Sequence, residues 1–165
     1  MEAAVQWFTM HLSRFLSPEA AIFLISALPV AELRGGLLAA SLLKVEAAKA
    51  IPLCILGNLL PIPLILLFIR RILQWMKKAG PFKGLAYKLE KRAMGKSDRI
   101  RRYEFLGLLV FVGIPLPGTG AWTGALIASL LEVDWVKASL AILCGVLCAA
   151  AIMYLVSYGI VGALV

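Results

Sequence analysis

The apolar positions of this chain form long blocks separated by short breaks, and the two clearest blocks are 51–69 and 138–165. Each is long enough to cross a hydrocarbon core about 30 Å thick, because an α-helix rises about 1.5 Å per residue. Shorter apolar pieces of eight or nine residues, such as 20–28 and 36–43, flank breaks rich in Pro and Gly. The pattern therefore predicts two full spans and two pairs of helices that each cross about half of the membrane.

The chain repeats itself without a gap at an offset of 88 residues. The segment ASLLKV at 40–45 aligns with ASLLEV at 128–133. Prolines and glycines follow the same offset: Pro29 with Pro117, Gly36 with Gly124, and Gly57 with Gly145. Chance agreement between two leucine-rich helices does not explain matched Pro and Gly positions, so the sequence predicts a duplicated unit.

Positive charge is concentrated between the two units, where residues 70–104 contain twelve Lys or Arg and three acidic residues. A basic loop between hydrophobic spans is typical of a cytoplasmic segment. With this loop inside, the first hairpin enters the membrane from the outer face and the second from the inner face, as in the inverted repeats of secondary transporters. In the alternative, residues 20–43 form one kinked span, which gives parallel repeats and a cytoplasmic C-terminus.

These patterns predict one all-α integral membrane domain over residues 1–165, an inverted repeat of a re-entrant helical hairpin plus a transmembrane helix. The predicted segments are an interfacial amphipathic helix at 1–18, the first hairpin and transmembrane helix at 19–69, a basic cytoplasmic amphipathic segment at 70–104, and the second hairpin and transmembrane helix at 105–165.

Composition agrees with a membrane protein, since 62% of the residues are hydrophobic and 16% are charged, against about half and about a quarter in soluble domains. The net charge of +8 does not indicate nucleic acid, because no groove-entering module accompanies the basic residues. The sequence contains no nucleophile triad, Walker loop or zinc motif, and Cys54, Cys144 and Cys148 lack metal-site spacing. We expect neither enzymatic activity nor a cofactor or metal.

The two Pro and Gly breaks contain the candidate site. Glu32 and Arg34 are the only charges expected at membrane depth, where an unpaired charge costs about 2.5 to 3.5 kcal/mol. Either they form a structural ion pair that holds the hairpin tip, or Arg34 is a fixed anion ligand and Glu32 a protonatable group. The helices after the breaks, beginning near Gly36 and Thr123, are expected to point their N-termini at the midplane, which favours an anion.

The candidate set adds glycines for close backbone approach, hydroxyl donors, an aromatic ring and an amide to the charged pair. It comprises Glu32, Arg34, Gly35, Gly36, Asn58, Pro117, Gly118, Thr119, Gly120, Trp122 and Thr123. Trp122 either walls the cavity or packs as a core aromatic, and Asn58 either bonds a hairpin tip or joins helices.

The strings PVAELRG at 29–35 and IPLPGTGAWTG at 114–124 resemble those of the small multidrug export family of prokaryotic membrane proteins. That family in turn resembles the DedA superfamily, which implies two opposed re-entrant hairpins, the inner (plasma) membrane, and translocation of lipid or polyprenyl phosphate. DedA proteins usually carry arginine in the second hairpin, whereas residues 118–124 of this chain carry no charge.

The leading hypothesis is a secondary transporter or lipid translocase that binds an anionic or phosphate-bearing amphipathic substrate between the hairpin tips. Two alternatives stay open: a proton-coupled exporter of amphipathic cations with Glu32 as the exchange carboxylate, and a non-transporting membrane scaffold. The expected partners are membrane lipids, the amphipathic substrate and protons. The small size is compatible with a homo-oligomer.

Overall fold

The computed structural model describes residues 17–78, 83–94, 98–116 and 118–161, and the regular structure in these ranges is entirely helical. The helices are α1 (Pro18–Ala27), α2 (Glu32–Leu42), α3 (Ala47–Leu59), α4 (Ile62–Lys78), α5 (Lys83–Met94), α6 (Asp98–Gly113), α7 (Ala121–Leu130) and α8 (Trp135–Tyr154), which continues as a π-helical segment, Leu155–Val161. The prediction of an all-α protein is confirmed for this part of the chain.

Each half of the chain contains a helical hairpin packed on a long helix. Helix α1 packs along both α2 and α3. Helix α6 packs mainly against α8 and also contacts α7, which packs chiefly against α4. Close packing of α1 on α2 shows that the chain reverses at residues 28–31 instead of continuing as one kinked helix.

The local backbone repeats at the offset found in the sequence. Lys44 and Glu132, which are 88 residues apart, both adopt positive φ, 55° and 60°, just after the second hairpin helix. The next amide in each half donates to the carbonyl five residues earlier, over 2.9 Å from Val45 and 3.0 Å from Val133. A left-handed residue with this bond terminates a helix, so the two halves end their hairpins with the same turn.

Aligned glycines place the long helices against the hairpins. A Cβ on Gly57 would overlap the carbonyl of Phe23 in α1, and a Cβ on Gly145 would come within 2.7 Å of Val112 Cβ in α6. Membrane helices pack through small residues because these let two backbones approach closely. The matched glycines therefore have a packing role in both halves.

The base of each hairpin, where its second helix ends, contacts the C-terminal part of the long apolar segment of the other half. Ser41, near the end of α2, donates its hydroxyl to the carbonyl of Ser157 over 2.7 Å. Ser129, the aligned residue near the end of α7, donates to the carbonyl of Leu66 in α4 over 3.4 Å. Each contact therefore joins the second hairpin helix of one half to the long apolar segment of the other half.

Among the residues that the structure describes, two segments are long and apolar enough to cross a membrane, Ala47–Ile69 and Trp135–Gly159. The first is interrupted at Leu60 and Pro61, between α3 and α4, and Pro61 cannot donate an amide hydrogen. Its apolar side chains do not form the core of a soluble protein, because several of its large apolar side chains are more than half exposed. These residues are Leu56, Leu60, Leu64 and Leu67. A continuous apolar surface of this kind requires a non-aqueous surrounding or a partner.

Several predicted boundaries shift in the structure. Ser17 caps α1 by accepting from the amide of Ala20 over 3.3 Å, so residues 17–18 begin the hairpin instead of ending an interfacial helix. The rest of that predicted helix, 1–16, lies outside the described residues. Within the basic segment, α4 continues to Lys78, and α5 buries Ala86 and leaves Lys88 exposed.

Candidate functional site

The tip of the first hairpin places a glutamate in a strained backbone conformation. Glu32 begins α2 with φ of 50°, and the aligned residue, Gly120, immediately precedes α7 with φ of 134°. Positive φ is uncommon for a side-chain-bearing residue and costs about 1 to 3 kcal/mol, so it persists only where the surroundings impose it. The second hairpin supplies those surroundings, because it encloses the Glu32 side chain, which is only 5% exposed as a residue.

The Glu32 carboxylate lies at the N-terminus of α7. The backbone N–H of Trp122 donates to Glu32 Oε1 over 3.3 Å, and the N–H of Ala121 also faces the carboxylate. Free N–H groups and the positive end of the helix dipole stabilise an anion at such a position. The anion site that the sequence predicts on this helix is therefore filled by a carboxylate from the other half of the chain.

Arg34 crosses to the same tip and contacts its backbone. Its Nη1 donates to the carbonyl of Leu116 and its Nη2 to the carbonyl of Thr119. The Nη2 atom also lies 4.0 Å from Glu32 Oε2 and 3.4 Å from Thr119 Oγ1. The planar guanidinium can serve two acceptors at once, and it thereby links the two hairpins.

The second tip is organised by the Thr119 hydroxyl. Its Oγ1 accepts from the amide of Leu116 over 3.2 Å and lies 2.9 Å from the Ile114 carbonyl and 2.8 Å from the Leu116 carbonyl. A hydroxyl has one hydrogen to donate, so it cannot satisfy the tip's carbonyls alone. Arg34 provides the remaining donors for Leu116 and Thr119.

Both second helices begin earlier than predicted. The expected start near Gly36 is wrong, because α2 begins at Glu32, whereas α7 begins at Ala121, two residues before Thr123. Gly36 lies inside α2, where a Cβ would overlap Ser26 Oγ of α1 and come within 2.9 Å of Cys54 Sγ of α3. Together with its buried neighbour Gly35, it looks like a helix break in the sequence, but the close approach of three helices accounts for it.

The remaining candidates lie at different distances from the charged pair. Gly118 adopts φ of 77° in the second tip, and Thr123 is partly buried in the first turn of α7. Trp122 contributes its backbone amide, while its buried Nε1 has no hydrogen-bond partner within the described structure. Pro117 lies outside the described residues.

Asn58 is buried in α3, and its Oδ1 atom also lacks a partner among the described residues. Cys54, one turn earlier in α3, faces Gly36 of α2, so Asn58 lies near the face of α3 that packs against the first hairpin.

The tips thus bring together Glu32, Arg34, Thr119, Gly120 and the Trp122 amide. Sequence reasoning missed the carbonyl of Leu116 and the N–H of Ala121, since backbone groups carry no residue-specific signal. In the described part of the chain, no cluster of three His, Cys, Asp or Glu residues has the geometry of a metal site.

The fold and the site define a helical membrane protein in which two hairpin tips meet through a buried charged pair. A family model described as "Putative small multi-drug export protein" matches residues 32–152. The chain belongs to this family. A comparison with curated proteins and one with solved structures each gave no match.

Proposed function

We propose that this protein is a secondary transporter, without enzymatic activity, that binds an anion-bearing amphipathic substrate between its two hairpin tips. The observation that carries the proposal is the Glu32 carboxylate at the N-terminus of α7, 4.0 Å from the Arg34 guanidinium. A position that holds one carboxylate can hold another anion of similar size. The substrate anion and Glu32 then compete for the same donors, and a phosphate-bearing lipid is one member of the substrate class.

We further propose that the hairpins are re-entrant and enter the membrane from opposite faces, as the DedA resemblance implies, with the basic segment in the cytoplasm. The hydroxyl of Tyr158 donates to the carbonyl of Val45 over 2.8 Å, and Lys137 lies 3.9 Å from Glu104. In parallel repeats, the members of each pair would lie near opposite faces of the membrane. In inverted repeats, both members of each pair lie near the same face of the membrane. The two contacts therefore support the inverted arrangement.

Cysteine labelling tests this topology. In a background with Cys54, Cys144 and Cys148 replaced by alanine, Lys44→Cys should react with an impermeant maleimide from outside intact cells. Lys137→Cys, at the base of the second hairpin, should react only from the cytoplasmic side of inside-out vesicles. Lys88→Cys serves as the cytoplasmic reference in both arrangements. Labelling of Lys137→Cys from outside would refute the inverted arrangement.

Proton coupling follows from competition at the α7 N-terminus. A protonated Glu32 carries no charge, so its bond with the Trp122 amide weakens and the site becomes available to a substrate anion. Anion affinity should therefore rise as pH falls. Binding of one proton and one monovalent anion together adds no net charge, which lowers the cost of exposing the site to lipid.

The test is binding of dodecyl phosphate to the purified protein in nanodiscs between pH 5.5 and 8, with the ligand's own titration subtracted. Glu32→Gln should raise the affinity at pH 8 by about tenfold, because a charge-assisted hydrogen bond of about 1.5 to 3 kcal/mol no longer competes. It should also abolish the protein's share of the pH dependence. Glu46→Gln, an exposed carboxylate at a hairpin base, is the control and should behave like wild type. Absence of dodecyl phosphate binding to wild type would refute the proposal.

A second candidate, exchange of an amphipathic cation for a proton, is favoured by a different observation. The Nη1 and Nη2 atoms of Arg34 already donate to backbone carbonyls, so Glu32 is the member of the pair with fewer committed partners. In that mechanism deprotonated Glu32 binds the cation, and the affinity for tetraphenylphosphonium should rise with pH and disappear in Glu32→Gln. The opposite pH dependences of the two probes separate the candidates, and binding of neither probe would favour the scaffold hypothesis.

A further inference from the structure

The tip of the second hairpin binds both members of a charged pair although it carries no charge itself. On one side, the N–H groups of Ala121 and Trp122 face the Glu32 carboxylate. On the other side, the carbonyls of Leu116 and Thr119 accept from the Arg34 guanidinium. The tip is therefore a bipolar surface, with N–H donors beside C=O acceptors, and the first hairpin fills both parts.

Separation of the two hairpins would leave both parts of this surface unpaired. Unsatisfied backbone groups at membrane depth cost several kcal/mol each, so the separated state needs a replacement for each member of the pair. A substrate that is only an anion replaces Glu32 and leaves two carbonyls without the Arg34 donors. A substrate that is only a cation leaves the helix N-terminus empty. A molecule that carries both charges satisfies the donors and the acceptors together.

We propose that the natural substrate class is a zwitterionic amphiphile whose anionic group takes the place of Glu32 and whose N–H-bearing cation takes the place of Arg34. This inference rests on the proposed function and adds the second charge to its substrate. The separation of Arg34 Nη2 from Glu32 Oε2 is 4.0 Å, which sets the spacing of the opposite charges in the ligand. The cation must carry N–H groups because backbone carbonyls bind it by accepting hydrogen bonds.

Apolar side chains beside the bipolar surface fit the alkyl part of such a molecule. Val30 in the first tip is 78% exposed, and Leu116 and Ile114 in the second tip are 55% and 46% exposed. These residues flank the charged pair on both hairpins and offer a contact for an alkyl chain. A zwitterion also has no net charge, so its passage between the tips avoids the cost of moving an isolated ion.

Four dodecyl ligands with matched chains test the inference on the wild-type protein in nanodiscs at pH 7. They are N-dodecyl-β-alanine, which carries an N–H cation and a carboxylate, its quaternary N,N-dimethyl analogue, dodecanoate and dodecylammonium. We expect N-dodecyl-β-alanine to bind at least about tenfold more tightly than each of the other three, since it alone makes charge-assisted hydrogen bonds to both parts of the tip.

The possible outcomes separate this inference from the proposed function. If the quaternary analogue or dodecanoate binds within about twofold of N-dodecyl-β-alanine, the carbonyls do not select the cation, and the zwitterion inference is wrong while anion binding stands. If dodecylammonium alone binds, both proposals are wrong. If none of the four ligands binds and dodecyl phosphate also fails, the transporter proposal itself is wrong.

The double variant Glu32→Gln with Arg34→Gln gives a second measurement. It removes both tethered charges from the bipolar surface and leaves the second tip's backbone intact. N-dodecyl-β-alanine should bind this variant more tightly than wild type, because the competing groups are neutral. Weaker binding would mean that the side chains hold the ligand directly, which contradicts the replacement of both groups.

Discussion

Replacement of Arg34 by glutamine should lower the free energy of unfolding by about 3 to 5 kcal/mol, which is typical when one member of a buried charged pair is removed. The variant leaves the Glu32 carboxylate buried without its cation and the carbonyls of Leu116 and Thr119 without their donors. The hydrogen bonds by which Arg34 links the two hairpin tips are lost. Thermal or SDS-induced unfolding of the purified protein in detergent micelles measures the loss.

Three further variants distinguish the effect of the charged pair from the general effect of replacing an arginine. Arg71→Gln removes an exposed arginine of α4 and should change stability by less than about 0.5 kcal/mol. Arg34→Lys keeps the charge but lacks the planar fork whose two nitrogens each reach one carbonyl, so its loss should be intermediate. In a Glu32→Gln background, Arg34→Gln should cost less than in wild type, because no carboxylate is left unpaired. Equal losses for Arg34→Gln and Arg71→Gln would refute the link between the hairpins.

Gly120→Ala should lower stability by a similar amount, about 3 to 5 kcal/mol, for two separate reasons. The backbone at this position has φ of 134°, which side-chain-bearing residues rarely adopt. A Cβ would also overlap the Glu32 carboxylate, so the bond from the Trp122 amide would be lost. The measurement is unfolding as above, together with dodecyl phosphate binding, which should weaken because the methyl group occupies the anion's position.

Two comparisons distinguish strain from the clash with the carboxylate. Gly84→Ala in α5 is the control, since nothing lies within 4 Å of the added Cβ, and alanine favours a helix more than glycine does. In a Glu32→Ala background, Gly120→Ala should retain only the backbone strain of about 1 to 3 kcal/mol. If Gly120→Ala is as stable as Gly84→Ala, the described contact between the tips is not formed in solution.

The structure also explains why some sequence predictions succeeded and others failed. The offset of 88 residues reappears in the backbone because aligned residues form the same local structure in both halves, as the left-handed turns at Lys44 and Glu132 illustrate. Gly35 and Gly36 predicted a helix break since glycine is a poor helix former. In the folded protein they lie within α2, where close packing against α1 and α3 outweighs that preference.

The sequence singled out the two charged residues of the candidate site but not the groups that they contact. Glu32 and Arg34 were evident because charges stand out in apolar sequence. Their contacts were not, because the acceptors of Arg34 are carbonyls of Leu116 and Thr119. Every residue has a backbone carbonyl, so the residue type does not indicate which carbonyl will accept a hydrogen bond from Arg34.

The sequence by itself determined the helical class, the two apolar spans, the duplicated unit and the family to which the chain belongs. These properties follow from the transfer free energies of individual residues and from local chain geometry, which a linear pattern records. Only the tertiary structure decided that Glu32 occupies the N-terminus of α7 and that Arg34 binds the opposite tip. These contacts join residues more than 80 positions apart in the sequence, and they depend on how the two hairpins pack against each other, for which no local pattern exists.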